Sequence, residues 1–294
     1  MTPTDLLALS TGIPSPAQGT WDLWVLPVRA YALLVITGIV VGGYVGERRW
    51  TARGGRPGTV VDVLTWAVPA GLVGARLYHV VSRWQDYVGP GQDPWDVLRV
   101  WEGGLAIFGG LIGGALGAWF GARRHGVRLP AFADALAPGL AVGQAIGRWG
   151  NWFNQELFGT PTSLPWGLRI DPENRPEQFA DAETFHPTFL YESLWNLGVA
   201  GVVVWADRRF RLGHGRAFAL YLALYAFGRF WLEMLRTDVA NVVLGLRVNQ
   251  LTALVVVLAA SAYVIISARL RPGREDVVQD LPGPAVQEGR VTSP

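Results

Sequence analysis

Long apolar runs recur along the chain, separated by short polar connections that carry most of its charge. A helix crossing the hydrocarbon core of a bilayer needs about 20 apolar residues. Runs of that kind lie near residues 25–46, 59–82, 104–122, 131–148, 188–206, 216–236 and 249–268. The pattern predicts an all-α integral membrane protein with seven transmembrane helices. The fourth run is short and contains Pro138, so its ends are the least sharply marked. Arginines cluster after the first run (Arg48, Arg49, Arg53, Arg56), the third (Arg123, Arg124, Arg128), the fifth (Arg208, Arg209, Arg211, Arg216) and the seventh (Arg269, Arg271, Arg274). The alternate connections hold only Arg83 and Arg99, Arg169 and Arg175, and Arg247. Short basic loops stay cytoplasmic, which predicts an N-terminus outside and a C-terminus inside. Trp21, Trp24, Trp84, Trp95, Trp101 and Trp166 then fall near outer ends, as an interfacial aromatic belt would.

Residues 1–270 are expected to form one seven-helix domain, and 271–294, rich in proline, glycine and charge, a disordered cytoplasmic tail. Residues 1–20 lack a basic segment ahead of an apolar core, so no cleaved signal peptide is expected. Glycines at 109, 113, 117 and 121, and at 139, 143 and 147, repeat every fourth residue, a spacing that lets helix backbones approach closely. No internal repeat is evident.

Composition narrows the chemistry. The 294 residues are 50% hydrophobic and 16% charged, and every one of the 25 basic residues is arginine. With no cysteine, the chain can supply neither a disulfide, nor a thiolate metal site, nor a thiol nucleophile of its own. A net charge of +2 gives no reason to expect a nucleic-acid partner. Glu102, Glu156 and Glu192 are too dispersed to suggest a metal, and no cofactor is expected.

Polar groups within apolar runs are costly and usually functional. Given the predicted orientation, Arg29 and Tyr31, Arg76 and His79, Glu102, Arg148, and Arg229 with Glu233 and Arg236 all fall at outer ends of different spans. A single arginine there could snorkel to the surface, but the recurrence at one level points to an anion site near the outer leaflet. Arg229 and Glu233 are spaced to share a helix face, with Arg236 on nearly the same face, leaving positive charge over. Guanidinium forks match phosphate. Asn151 and Asn154, which donate and accept, suit hydroxyls beside it. The implied ligand is a membrane lipid with a polyol headgroup.

The run Gly147-Arg148-Trp149-Gly150-Asn151-Trp152-Phe153-Asn154-Gln155-Glu156-Leu157-Phe158-Gly159 resembles the signature of the bacterial prolipoprotein diacylglyceryl transferase family. The resemblance extends to Tyr31, to Trp101-Glu102-Gly103-Gly104 with Gly109-Gly110, to Asp134 with Pro138 and to His186-Pro187-Thr188 with Leu190-Tyr191-Glu192. It continues through Arg229, Glu233, Arg236 and Asp238 to Asn249-Gln250. It implies a multi-pass enzyme of the bacterial cytoplasmic (inner) membrane, with its active site near the outer leaflet. Such an enzyme moves diacylglyceryl from phosphatidylglycerol to the lipobox cysteine thiol of a preprolipoprotein signal peptide, forming a thioether and releasing glycerol phosphate. Carried over by position, Arg148, Arg229, Glu233, Glu156 and Tyr31 are the implied catalytic residues. Arg148, Asn151, Asn154, Gly159, Arg229 and Arg236 are the implied phosphatidylglycerol-binding set. Many members have a histidine before the paired glycines of span three, where this chain has Phe108. The group that takes the thiol proton is then open among Glu156, His79, His186 and Glu192, or is unnecessary if a cationic pocket lowers the thiol pKa. An organic-anion transporter or channel, or a lipid-binding scaffold, would also carry intramembrane arginines, but a pore should be polar through its full depth.

Overall fold

The computed structural model describes residues 12–24, 26–89, 91–237, 242–243 and 245–280. Asp238, the side chain of Glu102 and the 281–294 portion of the expected tail lie outside the described residues. Seven helices form among the described residues: α1 (Ala30–Ala52), α2 (Thr59–Ser82), α3 (Ile107–Arg124), α4 (Leu129–Phe153), α5 (Thr188–Phe210), α6 (Arg216–Leu232) and α7 (Val248–Leu270). Three two-stranded antiparallel hairpins accompany them: β1 (Thr20–Leu23) with β2 (Leu26–Arg29), β3 (Leu168–Arg169) with β4 (Thr184–Phe185), and β5 (Val242–Val243) with β6 (Leu246–Arg247). Six of the helices are long and apolar enough to cross a membrane. The exception is α3, an 18-residue helix whose last turn is Arg123 and Arg124.

Several expected boundaries move. The first run was expected to be helical from residue 25, but the helix begins at Ala30 and the preceding residues pair as β2. Pro27 accounts for this, since it disfavours helical backbone at Leu26 and donates no N–H. The fourth run, expected to end at residue 148, continues to Phe153, so Arg148 and Asn151 lie on the helix itself.

The chain divides into two compact units. The first holds the chain up to Arg49 together with Ala133–Arg274, and the second holds Trp50–Phe132 and the residues from Glu275 onward. In the first unit, α4, α5 and α6 share a core of Ala137, Ala141, Val199, Val203, Ala217 and Tyr221. Small side chains allow the close approach that helices in lipid need. Where α1 meets α4, a Cβ added at Gly42 would sit 2.6 Å from the carbonyl oxygen of Gly139, so neither position has room for a side chain. Gly42→Leu is expected to cost about 1–3 kcal/mol through overpacking, measurable as a lowered Tm of the purified protein in detergent. Asp134, fully buried on α4, accepts from the backbone N–H groups of Gly215 (3.0 Å) and Phe218 (2.9 Å) and so caps the first turn of α6 from a neighbouring helix. Asp207 of α5 holds both Arg49 and Arg274 at 2.7 Å.

In the second unit, α2 and α3 pack through glycines: a Cβ at Gly109 would lie 2.1 Å from the carbonyl oxygen of Gly74. Arg76, nearly buried, donates to the carbonyls of Val97 (2.8 Å), Asp96 (2.5 Å), Gly103 (2.8 Å) and Gly104 (3.1 Å), anchoring the connection from α2 to α3. Its role there is structural. Gln279, within the segment expected as tail, accepts from the Arg56 N–H (2.9 Å) and donates to the His125 carbonyl (2.8 Å).

Candidate functional site

The signature run starts on α4 and then turns sharply. Gln155 (φ 49°) and Leu157 (φ 58°) both adopt left-handed backbone, which costs a non-glycine residue of order 1–3 kcal/mol and persists only where the surroundings fix it. The fixing contacts are present. Gln155 donates to Asp171 Oδ2 at 2.5 Å and accepts from the Asp171 backbone N–H at 2.8 Å, while the Glu156 N–H reaches the Asn151 carbonyl at 3.1 Å. Below this turn, Phe158, Leu168, Ile170, Phe185 and Phe189 form a small apolar cluster of their own. Asn151, buried, and Asn154, exposed, each donate Nδ2 to Glu156 Oε1 at 3.0 Å. The other carboxylate oxygen of Glu156 makes no hydrogen bond among the described residues.

A chain of alternating charge runs from α4 into three further elements. Arg148 meets Glu192 of α5 through Nε. Glu192 also accepts from Arg229 of α6 at 3.2 Å, and Arg229 reaches Glu233 at 2.6 Å through its other terminal nitrogen. Glu233, wholly buried, then accepts at Oε1 from Arg247 (3.2 Å) and from Asn249 Nδ2 (3.0 Å), where β6 leads into α7. Among the described residues, three guanidiniums face two carboxylates along this chain. Arg148 spends Nε on Glu192, and its terminal nitrogens make no hydrogen bond among the described residues. The space enclosed between Arg148, Glu192, Asn196, Tyr225 and Arg229 is about 10 Å³, room for one water at most. A phosphate would therefore engage the outward edges of the guanidiniums rather than sit between them.

The remaining expected residues fall as follows. The Tyr31 ring lies across Gly150, where an added Cβ would meet ring carbon Cδ2 at 2.5 Å, so α1 brings the tyrosine against the signature run on α4. Arg236 departs from expectation. α6 ends at Leu232, Glu233–Leu235 is a single 3-10 turn, and Arg236 is extended, bridging to Gly159 instead of sharing a helix face with Arg229. Gly159 is buried in a short backbone ladder: its N–H donates to the His186 carbonyl (2.9 Å), and Thr160 donates to Leu235 (2.7 Å). An added Cβ at Gly159 would stand 2.8 Å from the Cβ of His186. His186 keeps Nδ1 3.2 Å from the Tyr191 hydroxyl. Arg29 ends β2 and is exposed. His79 and Phe108 belong to the second unit, His79 with its ring edge-on to Tyr87 and beneath Gly104, Phe108 exposed and packed on Tyr78.

Three members of this network are not singled out by the sequence for the contacts they make. Glu192 was weighed only as a base, yet both of its oxygens are taken by guanidiniums. Arg247 was counted as a loop charge, although an arginine at an expected outer end is the same signal that singled out Arg148. Asn249 had no role beyond its place in the resemblance.

The prolipoprotein diacylglyceryl transferase family model matches residues 18–266. The chain is 56% identical over 270 residues to phosphatidylglycerol--prolipoprotein diacylglyceryl transferase 1 of Streptomyces coelicolor, covering 91% of this chain and 77% of that one. It is 57% identical over 267 residues to the Streptomyces griseus protein of that name (91% and 81% covered), and 50% identical over 276 residues to that of Rhodococcus jostii (90% and 76%). A match across nearly all seven helices, including the charge chain from Arg148 to Arg247, places this protein in the prolipoprotein diacylglyceryl transferase family.

Proposed function

We propose that the chain transfers the diacylglyceryl group of phosphatidylglycerol to the cysteine thiol of a preprolipoprotein lipobox. The observation that carries this reading is the Arg148–Glu192–Arg229–Glu233–Arg247 chain, in which, among the described residues, three guanidiniums face two carboxylates. The reaction is a displacement at the glyceryl carbon that bears phosphate. The thiolate sulfur forms a bond to that carbon, the carbon–oxygen bond breaks, and glycerol phosphate leaves with the electron pair. Charge grows on the departing phosphate oxygen, so preorganised guanidiniums on that side stabilise the transition state more than the bound lipid. Arg148 and Arg229 take this role. Glu233 and Glu192 hold Arg229 from both ends, and Tyr31, Asn151 and Asn154 border the headgroup.

The thiol proton goes to Glu156. Among the carboxylates of the site it is the exposed one, oriented by two asparagines, with an oxygen to spare. Glu192 and Glu233 are already ion-paired with arginines at both oxygens. His186 is set by the ladder and by Tyr191. With phenylalanine at position 108, this chain works without a histidine there. Beside the charged site, an apolar groove of about 420 Å³ lined by Leu194, Trp195, Gly198, Val202 and Leu224 runs along α5 and α6. Trp195 borders both spaces, which suits a lipid with its headgroup at the arginines and its chains along the groove.

The reading also assigns seven spans, with α3 crossing despite its shorter apolar length, in the bacterial cytoplasmic membrane. It places the N-terminus and the site on the outer side, and residues 1–270 act as the catalytic domain. The uneven distribution of arginines between alternate connections supports this. Because the chain lacks cysteine, single substitutions test it directly. In intact cells a membrane-impermeant maleimide is expected to label Ala180→Cys but not Arg208→Cys, which should react only after lysis; the reverse pattern inverts the topology.

The activity is tested by incubating purified protein with phosphatidylglycerol and a lipobox peptide. A peptide mass gain equal to diacylglyceryl replacing the thiol hydrogen, with stoichiometric glycerol phosphate, is expected. Lipid binding with no adduct would overturn the reading.

A further inference from the structure

Next to Glu156, the first unit contains an open cavity of about 580 Å³. That lies within the range of about 300–1,000 Å³ typical of ligand pockets. Its wall includes Glu156, Glu177, Asn154, Asn174, Gln178 and Thr237. Every one of them lies outside the seven helices, in the connections that follow α4 and α6. No arginine contributes to the wall among the described residues. Two carboxylate and four amide residues, Gln155 among the latter, therefore line the space, opposite in charge to the arginine chain.

The walls are fixed in advance. Gln155 is locked to Asp171 by the reciprocal pair described above. Arg175 donates to the carbonyls of Ile170 (2.9 Å) and Ala180 (3.2 Å), which holds the 174–178 segment in place, and Gln178 reaches the Thr237 carbonyl at 3.5 Å.

A phosphate headgroup is repelled by such a wall. An extended peptide is not, because side-chain amides can both donate to and accept from its backbone. On the proposed reaction, the substrate cysteine must bring its sulfur to Glu156. The apolar part of its signal sequence stays in lipid, and the residues after the cysteine must leave into water. We propose that this cavity seats the residues that immediately follow the lipobox cysteine, and that Glu177 favours basic over acidic side chains among them. This assignment rests on the transferase reading and adds to it where the second substrate leaves the membrane.

The test uses the purified full chain in neutral detergent with a low mole fraction of phosphatidylglycerol, and two lipobox peptides that differ only in carrying Lys-Lys or Glu-Glu after the cysteine. The readout is the ratio of kcat/KM for the two peptides. The wild type is expected to favour the lysine peptide. Glu177→Lys, an exposed position, is expected to lower that ratio by about three- to tenfold, the scale of an exposed charge pair switched from attraction to repulsion. Gln178→Lys should lower it in the same direction and serves as a second reporter. A ratio unchanged by both substitutions, with adduct still forming, overturns the cavity assignment and leaves the transferase reading standing. Absence of adduct with either peptide in the wild type overturns both.

Discussion

Replacing Arg148 with alanine is expected to lower kcat/KM for adduct formation by about 10²–10³-fold, the usual cost of removing one preorganised donor from developing negative charge. Two losses coincide. The guanidinium whose outward nitrogens have no partner among the described residues disappears, and the charge chain becomes neutral, with Arg229 and Arg247 facing Glu192 and Glu233. The two can be separated. Arg148→Ala with Glu192→Gln restores the excess of guanidiniums over carboxylates along the chain without restoring the donor, and it is expected to recover less than about tenfold of the lost activity, because electrostatic catalysis depends on donor position. Arg148→Lys should also recover little, since an ammonium cannot hold Glu192 and present a fork to phosphate together. Glu192 keeps Arg229 in the single variant, so the Tm should fall only modestly. An Arg148→Ala protein turning over within tenfold of wild type would remove the foundation of the mechanism.

The helices were legible because hydrocarbon demands uninterrupted apolar length, and the second expected run, 59–82, coincides with α2 (Thr59–Ser82). Legibility failed where one residue overrode that average. Pro27 turned the start of the first run into a hairpin. The amphipathic tail of α4 carried the helix past Arg148, and the buried Asn151 finds its partner in Glu156 there. Arg148, Arg229 and Glu233 were legible as well, because charge in an apolar run is conspicuous, and one chain of ion pairs joins them. What sequence could not supply was the partner of each charge. Arg229 and Glu233 share a helix, so their pairing follows from spacing. The links from Arg148 to Glu192 and from Glu233 to Arg247 join residues far apart in the chain, and only packing specifies them. Arg236 shows the converse, since its spacing was correct for a helix that ends before reaching it.

Glu233→Ala is expected to produce the largest loss of stability in the site. Its carboxylate is fully buried and is the only one that joins Arg229, at the end of α6, to Arg247 and Asn249, at the start of α7, among the described residues. Removing it leaves two largely buried guanidiniums without their shared counter-charge, and breaking a buried pair from one side costs about 3–5 kcal/mol. The purified variant should accumulate poorly or melt well below wild type. Glu233→Gln separates the components. The amide oxygen can still accept from Asn249 and one arginine, so much of the Tm should return. The charge that fixes Arg229 does not, so kcat should stay depressed by more than KM for phosphatidylglycerol rises. Pairing Glu233→Ala with Arg247→Met, which removes one of the two cations that Glu233 neutralises, should recover part of the lost Tm without recovering turnover. If Glu233→Ala melts like wild type, the buried carboxylate is not what holds the arginines, and the two ends of the charge chain act independently.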